Sequence, residues 1–129
     1  MKKPYTVLLV DDDEFLLGMY KKKFEKFGAK VEMCLGSSAA LNRLREGGKY
    51  DILVLDIIMP SIDGIELLKK VREEKLADES IVVMLTNESS SSRIEDAKAL
   101  NVDGYIVKAT SVPSEVVDEI IKIADQSGK

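Results

Sequence analysis

The chain has no histidine and only one cysteine, Cys34, among its 129 residues. Without histidine it can build neither a His-ligated zinc site nor a Ser-His or Cys-His catalytic pair. One cysteine allows neither an internal disulfide nor a cluster of thiolate ligands, and we expect Cys34 to be a small buried hydrophobe. A bound metal would therefore be held by oxygen atoms, which points to Mg²⁺ or Ca²⁺.

Long apolar runs and a surplus of positive charge are missing as well. No apolar run approaches the ~18 residues of a membrane-spanning helix, and the short apolar run near the start is a poor signal peptide. The formal net charge of -4 gives no general electrostatic reason to bind nucleic acid or an anionic membrane. We therefore expect a cytoplasmic protein that binds neither nucleic acid nor membranes directly.

Short apolar runs alternate with helical patterns along the whole chain. Residues 5–10 have the length and composition of a strand, whereas residues 14–27 place apolar side chains on one helical face and end at Gly28. Residues 51–57 contain the fully apolar run that is typical of a central parallel strand. The predicted strands are 5–10, 29–35, 51–57, 81–85 and 104–107. The first predicted helix covers 14–27, and the second is capped by Ser37 and ends at Gly47–Gly48. The other three helices run through 65–71, over 93–100 and from Pro113 through Ile121.

Five strand–helix units in succession predict an α/β fold. The sheet is expected to be parallel and doubly wound, with helices on both faces and right-handed crossovers. Ligands of such sheets bind outside the carboxyl ends of the strands. The residues that directly follow each strand are therefore the candidates for chemistry.

The predicted strand ends carry carboxyl, hydroxyl and ammonium groups. Close carboxylates repel one another unless a cation lies between them, and Mg²⁺, with Mn²⁺ as an alternative, takes oxygen ligands and can also clamp a phosphate oxygen. A lysine and a hydroxyl beside such a cation suit the stabilisation of an acyl phosphate. In chain order the groups are Asp11, Asp12 and Asp13 after the first strand, Asp56 after the third, Thr86 after the fourth and Lys108 at the end of the fifth.

The acidic run from Asp11 to Glu14 is expected to serve two purposes. One acid is enough to cap the following helix, and Asp13 stands directly ahead of the helical pattern. We predict that Asp13 is the helix cap and that Asp11 and Asp12 face a cation.

Together, these motifs resemble the receiver domain of bacterial two-component response regulators. The resemblance runs from about Tyr5 to Ala124 and implies a flavodoxin-like, five-stranded (βα)5 fold with strand order 2-1-3-4-5. We expect a single receiver domain over residues 1–129 without an output domain, because the chain ends soon after the fifth helix. The matching motifs are Val10-Asp11-Asp12, Asp56-Ile57-Ile58-Met59-Pro60 with Asp63-Gly64, Leu85-Thr86 and Gly104-Tyr105-Ile106-Val107-Lys108.

The resemblance implies a phosphoacceptor and a set of metal ligands. Asp56 would accept the phosphoryl group. Asp12 and Asp56 would ligate Mg²⁺ through their side chains, Ile58 through its backbone carbonyl, and Asp11 through water.

The resemblance also implies switch residues and partners. Lys108 would pair with the acceptor and then with its phosphoryl group, Thr86 would move to bond a phosphoryl oxygen, and Tyr105 would swing inward with it. The donor would be a phosphohistidine on a sensor histidine kinase or a histidine phosphotransfer protein, and a downstream protein would read the switch. Such a domain is a signalling module that catalyses only its own phosphorylation and slow dephosphorylation.

The sequence departs from the family at three positions. Ala109 follows Lys108 where the family usually has proline after a cis bond, which leaves open whether the Lys108–Ala109 bond is cis. Asn87 follows Thr86 where a smaller residue is usual, and Ile58 is apolar at a position that flanks the path of hydrolytic water. The departures at Ala109 and Asn87 leave open one alternative, a receiver-like interaction domain that is not phosphorylated, which we rank well below the receiver function. The departure at Ile58 leaves open the lifetime of the phosphorylated state.

A second alternative is a phosphatase resembling the haloacid dehalogenase group. Asp11-x-Asp13, Thr86 and Lys108 imitate part of that signature. However, Glu14-Phe15 follows where a Thr-Leu type pair is expected, and no acidic pair follows the lysine at a strand end. We therefore rank this alternative last.

Overall fold

In the computed structural model, residues 4–110 and 112–127 are described. Among these residues, no helix combines the length and the apolar character needed to cross a bilayer. The elements are β1 (Thr6–Asp11), α1 (Glu14–Glu25), β2 (Lys30–Leu35), α2 (Ser37–Arg45), β3 (Ile52–Leu55), α3 (Gly64–Glu73), β4 (Ile81–Thr86), α4 (Ser91–Ala99), β5 (Gly104–Val107), a short 3-10 helix (Lys108–Thr110) and α5 (Pro113–Gln126).

The five strands form one parallel sheet in the order β2-β1-β3-β4-β5, which confirms the predicted fold and strand order. The register between β1 and β3 is the one that matters for function. Val10 is aligned with Leu55, so Asp11, the last residue of β1, and Asp56, the residue directly after β3, lie side by side. The sheet therefore brings two distant acids to one point at its carboxyl edge.

Apolar side chains form a layer on each face of the sheet. Successive residues of a strand point to opposite faces, so Leu8 of β1 belongs to the layer under α2, α3 and α4, whereas Leu9 belongs to the layer under α1 and α5. Both of these side chains are almost completely buried. Every residue of β3 and β4 is buried, as expected for central strands covered on both faces.

The local predictions at the helix starts were partly right. Asp13 is the N-cap of α1, because its Oδ1 accepts the Leu16 N–H at 3.1 Å. The prediction that Ser37 caps α2 was wrong. Gly36 holds the cap position with φ 93, a left-handed conformation that suits glycine, and Ser37 is the first residue of the helix.

Candidate functional site

Lys108 joins the two buried acids at the carboxyl edge of the sheet. Its Nζ lies 2.5 Å from Oδ2 of Asp11 and 3.1 Å from Oδ2 of Asp56. Asp11 and Asp56 are only 5% and 7% exposed. Three residues that the sequence analysis assigned to one site, from the ends of β1, β3 and β5, are thus in direct contact.

Asp11 also orders the turn that follows β1. Its Oδ1 accepts the backbone N–H groups of Asp12 at 2.7 Å and Asp13 at 3.1 Å. This carboxylate is therefore fixed through both oxygens, by the backbone of the turn on one side and by the Lys108 ammonium on the other. The side chain of Asp12 is exposed at the rim of the same edge.

The site fits a hard divalent cation. Each of Asp11, Asp12 and Asp56 offers a carboxylate oxygen, and these oxygens all lie within 4.8 Å of one another. Oxygen ligands converging from two strand ends are what Mg²⁺ binds in proteins. Ile58 adjoins this group, since its backbone N–H donates to Oδ1 of Asp56 at 3.3 Å, although its side chain is 58% exposed.

Burial and charge oppose each other at this site. Burial raises the pKa of Asp56, and the neighbouring Asp11 carboxylate adds to the rise, whereas the Thr86 hydroxyl and the Lys108 ammonium act against it. Burial alone would lower the pKa of Lys108, but its hydrogen bond to Asp11 and the charge of Asp56 outweigh this, so the pKa is raised overall. Lys108 therefore stays charged at neutral pH.

Gly64 explains how the loop after β3 can close behind Asp56. A Cβ placed on Gly64 would overlap the backbone carbonyl oxygen of Asp56, so only glycine fits here. The Gly64 N–H donates to the Ile57 carbonyl at 2.8 Å, and Asp63 caps α3 by accepting the Glu66 N–H at 2.9 Å. The Asp63-Gly64 motif thus fixes the backbone that carries Asp56.

Thr86 and Tyr105, the two predicted switch residues, meet at a residue that sequence reasoning missed. Thr86 is completely buried, and its Oγ1 accepts the Glu88 N–H at 3.2 Å. The half-buried Tyr105 donates its hydroxyl to the Glu88 carbonyl at 2.5 Å. The Glu88 carboxylate accepts the Ser90 N–H at 3.1 Å, so Glu88 links both residues to the start of α4. No sequence signal marks Glu88, because two of these three contacts use its backbone atoms.

Two of the departures from the family pattern leave the site intact. No cis peptide bond occurs among the described residues, so the Lys108–Ala109 bond is trans, and Lys108 still reaches both acids. The side chain of Asn87 is exposed.

The comparisons with known proteins agree with this geometry. The sequence model of the family described as response regulator receiver domain matches residues 7–121, and the chain belongs to that family. It is 33% identical over 110 residues to the alkaline phosphatase synthesis transcriptional regulatory protein PhoP of Bacillus subtilis, and 30% identical over 115 residues to a protein named Probable methanogenesis regulatory protein FilR2 of Methanothrix harundinacea. The matches cover 85% of the chain and 44% of PhoP, and 84% of the chain and 74% of FilR2.

Solved structures show the same fold. A CheY-like receiver domain protein from Methanospirillum hungatei superposes with a TM-score of 0.86 at 27% identity and covers 96% of both chains. The chemotaxis protein CheY4 of Vibrio cholerae superposes with a TM-score of 0.83 at 26% identity, over 94% of this chain and 99% of CheY4. The chain spans less than half the length of PhoP, so the activity of such longer relatives is not carried over to it.

Proposed function

We propose that this receiver domain accepts a phosphoryl group on Asp56 from a phosphohistidine of a sensor histidine kinase or a phosphotransfer protein. The observation that carries the proposal is the contact of Lys108 with both buried carboxylates, Asp11 and Asp56. Because these 129 residues contain no histidine, the donor histidine lies outside them. The transfer takes place in the cytoplasm, and the domain is a signalling module rather than an enzyme with turnover.

The proposed transfer is a displacement at phosphorus. A carboxylate oxygen of Asp56 forms the new P–O bond, and the P–N bond of the donor breaks with its electron pair going to the imidazole nitrogen. Lys108 favours the ionised form of Asp56 before the reaction and then binds the phosphoryl oxygens. Asp12, Asp56 and the Ile58 carbonyl would hold Mg²⁺, or Mn²⁺ in its place, with Asp11 acting through water, and the ion would supply further positive charge near the phosphoryl oxygens.

The response to phosphorylation is proposed to start at Thr86. If its hydroxyl moves to bond a phosphoryl oxygen, the Glu88 N–H loses its acceptor. The Glu88 carbonyl is the acceptor of the Tyr105 hydroxyl, so Tyr105 and the start of α4 must adjust with it. A phosphoryl group can shift the equilibrium between two conformations only if its contacts differ between them. In this proposal, the Thr86 hydroxyl bonds the phosphoryl oxygen in one conformation and the Glu88 N–H in the other. A downstream protein then binds the altered face.

The phosphatase alternative has little support from the side-chain contacts. Asp13 serves as the helix cap, since its Oδ1 accepts the Leu16 N–H, so it is not a free acid–base partner for a nucleophile at Asp11. The unphosphorylated interaction domain stays as the alternative that the experiment must exclude.

Incubation with acetyl phosphate and Mg²⁺, followed by intact mass measurement, tests the proposal. We expect a gain of one phosphoryl group that is absent in Asp56→Asn. Asp13→Asn is the matched control, because asparagine caps a helix about as well as aspartate. It should gain the phosphoryl group as the unmodified protein does.

Other outcomes of this experiment would contradict the proposal. No gain with any phosphodonor would favour the interaction domain, and a gain that persists in Asp56→Asn would place the acceptor elsewhere. Turnover of a generic phosphate ester that depends on Asp11 would favour the phosphatase.

A further inference from the structure

The helix α4 is held to the rest of the molecule by few apolar contacts. Within Ser91–Ala99, Ala97 is the only fully buried side chain. By contrast, α5 buries a row of five side chains, namely Val116, Val117, Ile120, Ile121 and Ala124. Since burial of apolar surface is the main source of helix docking, α4 depends more than α5 on polar ties.

One polar tie holds the carboxyl end of α4. The Arg72 guanidinium, on α3, donates from Nε to the Leu100 carbonyl at 3.0 Å and from Nη2 to the Asn101 carbonyl at 3.2 Å. These carbonyls end α4, so Arg72 supplies donors to groups that the helix itself leaves without partners. Because the acceptors are backbone carbonyls, Arg72 holds the backbone at the end of α4 rather than a side chain.

A second tie holds the amino end of α4. Nη2 of Arg93 lies 2.7 Å from Oδ2 of Asp63, the residue that caps α3, and the two side chains are 35% and 21% exposed. Arg93 also lies 3.7 Å from Asp96 on its own helix. The two ends of α4 are thus attached to the two ends of α3, each by one arginine.

The second tie leads directly to the phosphoacceptor. Asp63 precedes Gly64, whose backbone is packed against the carbonyl of Asp56 so closely that no side chain fits. Asp63 therefore adjoins a residue that is in direct contact with the Asp56 loop, and Arg93 connects Asp63 to α4. The Thr86 and Tyr105 contacts reach the same end of α4 through Glu88 and Ser90.

We propose that the Arg93–Asp63 ion pair is a latch that couples the position of α4 to the loop behind Asp56. Opening the latch leaves the amino end of α4 with the Glu88–Ser90 contact, while Arg72 still holds its carboxyl end. The use of the latch in signalling rests on the proposed function. The coupling between α4 and the Asp56 loop is independent of the proposed function. It can therefore be tested on protein without phosphodonor or divalent cations.

Amide hydrogen exchange followed by NMR tests the latch. Two amides report on its two sides, namely Ile94, which donates to the Ser90 carbonyl at 3.1 Å, and Gly64, which donates to the Ile57 carbonyl at 2.8 Å. In Arg93→Gln we expect both amides to exchange about 1.4- to fivefold faster, the range for loss of a partly exposed ion pair. Asp63→Asn keeps a capping residue and should have the same effect.

The double variant and a matched control complete the test. Arg93→Gln combined with Asp63→Asn should exchange no faster than either single variant, since both remove one contact. Arg45→Gln is the control, because it breaks the pair of Arg45 with Glu74, at 2.6 Å, which does not involve α4. In Arg45→Gln, the amides of Ile94 and Gly64 should exchange at the same rates as in the unmodified protein.

Two outcomes would overturn the latch. If exchange at Ile94 rises while exchange at Gly64 stays unchanged, Arg93 fastens α4 without coupling it to the Asp56 loop. If the effects of the two single variants add in the double variant, the residues act independently. A negative result for phosphorylation would leave both measurements interpretable.

Discussion

The two edges of the sheet use aspartate in opposite ways. At the amino edge, Asp51 accepts the Thr6 N–H at 2.9 Å and the Thr6 hydroxyl at 3.1 Å, and Asp103 accepts the Val82 N–H at 2.8 Å. These carboxylates bond to neutral donors at the start of a neighbouring strand. At the carboxyl edge, Asp11 and Asp56 converge on the Lys108 ammonium.

The contrast shows one residue type in two settings, bonded to backbone N–H groups at one edge and paired with a shared lysine at the other. A carboxylate that accepts backbone N–H groups of a neighbouring strand stabilises the pairing of the two strands at their amino ends through charge-assisted hydrogen bonds. Two buried acids that share one lysine bring excess negative charge together, and the pKa of Asp56 rises through its burial and the nearby Asp11 charge. The carboxyl edge therefore offers converging carboxylate oxygens that fit a cation, whereas the amino edge is suited to hold strands together.

The largest expected effect is on metal affinity at the carboxyl edge. Asp12→Ala should weaken Mg²⁺ binding by more than about a hundredfold, because residues that merely support a metal ligand already cost about tenfold to a hundredfold. An NMR titration of the backbone amides with MgCl₂ measures the affinity. Asp13→Ala is the control and should keep the affinity while losing about 0.5–2 kcal/mol of stability, as expected for a helix cap. Equal loss of affinity in the two variants would show that the acidic run is not divided as proposed.

A smaller effect, on stability alone, is expected at the amino edge. Asp51→Ala should lower the free energy of unfolding by about 1–2 kcal/mol, because the part-buried Thr6 N–H loses its acceptor. Urea unfolding measures this change. The variant should bind Mg²⁺ and accept a phosphoryl group as before, and a loss of either would mean that the two edges are not independent.

The smallest expected effect is a dependence of stability on pH at Asp56. Burial raises the pKa of Asp56 above the ordinary value of 3.8, so the folded state binds this proton more tightly than the unfolded state. Its contribution to stability therefore falls as pH rises from about 3.8 through the raised pKa. An asparagine side chain cannot ionise, so the stability of Asp56→Asn relative to the unmodified protein should increase over this window. Urea unfolding at a series of pH values, without divalent cations, checks this, and a relative stability that falls with pH would contradict it.

Much of the fold could be predicted because its signals are local. The apolar runs and the helical periodicity lie within single elements, and Asp13 stands next to the helix that it caps. The predicted strand over 51–57 was too long, since β3 covers only Ile52–Leu55. The chain turns at Asp56 to present its carboxylate, and apolar composition alone cannot show such a turn.

The features that escaped prediction depend on backbone atoms or on contacts between distant elements. Serine is a residue type that often caps helices, which is why Ser37 was predicted as the cap. In the structure the cap position is occupied by Gly36, whose φ is left-handed. Glu88 acts mainly through its N–H and carbonyl, which nearly every residue has. The Arg93–Asp63 contact joins two helices, and its distance is set by the packing of α3 and α4 rather than by spacing along the chain.

The position of β1 also has a consequence for how the protein is made. This first strand lies between β2 and β3, with Thr6 beside Lys30 and Val7 beside Ile52. A nascent chain that has released only β1, α1 and β2 can cover one edge of β1, while the other edge stays open until β3 leaves the ribosome. Every strand pair in the sheet is parallel, so the two strands of each pair are separated in sequence by at least one helix. The sheet is therefore built from non-local contacts, which form more slowly than the local contacts of a helical bundle.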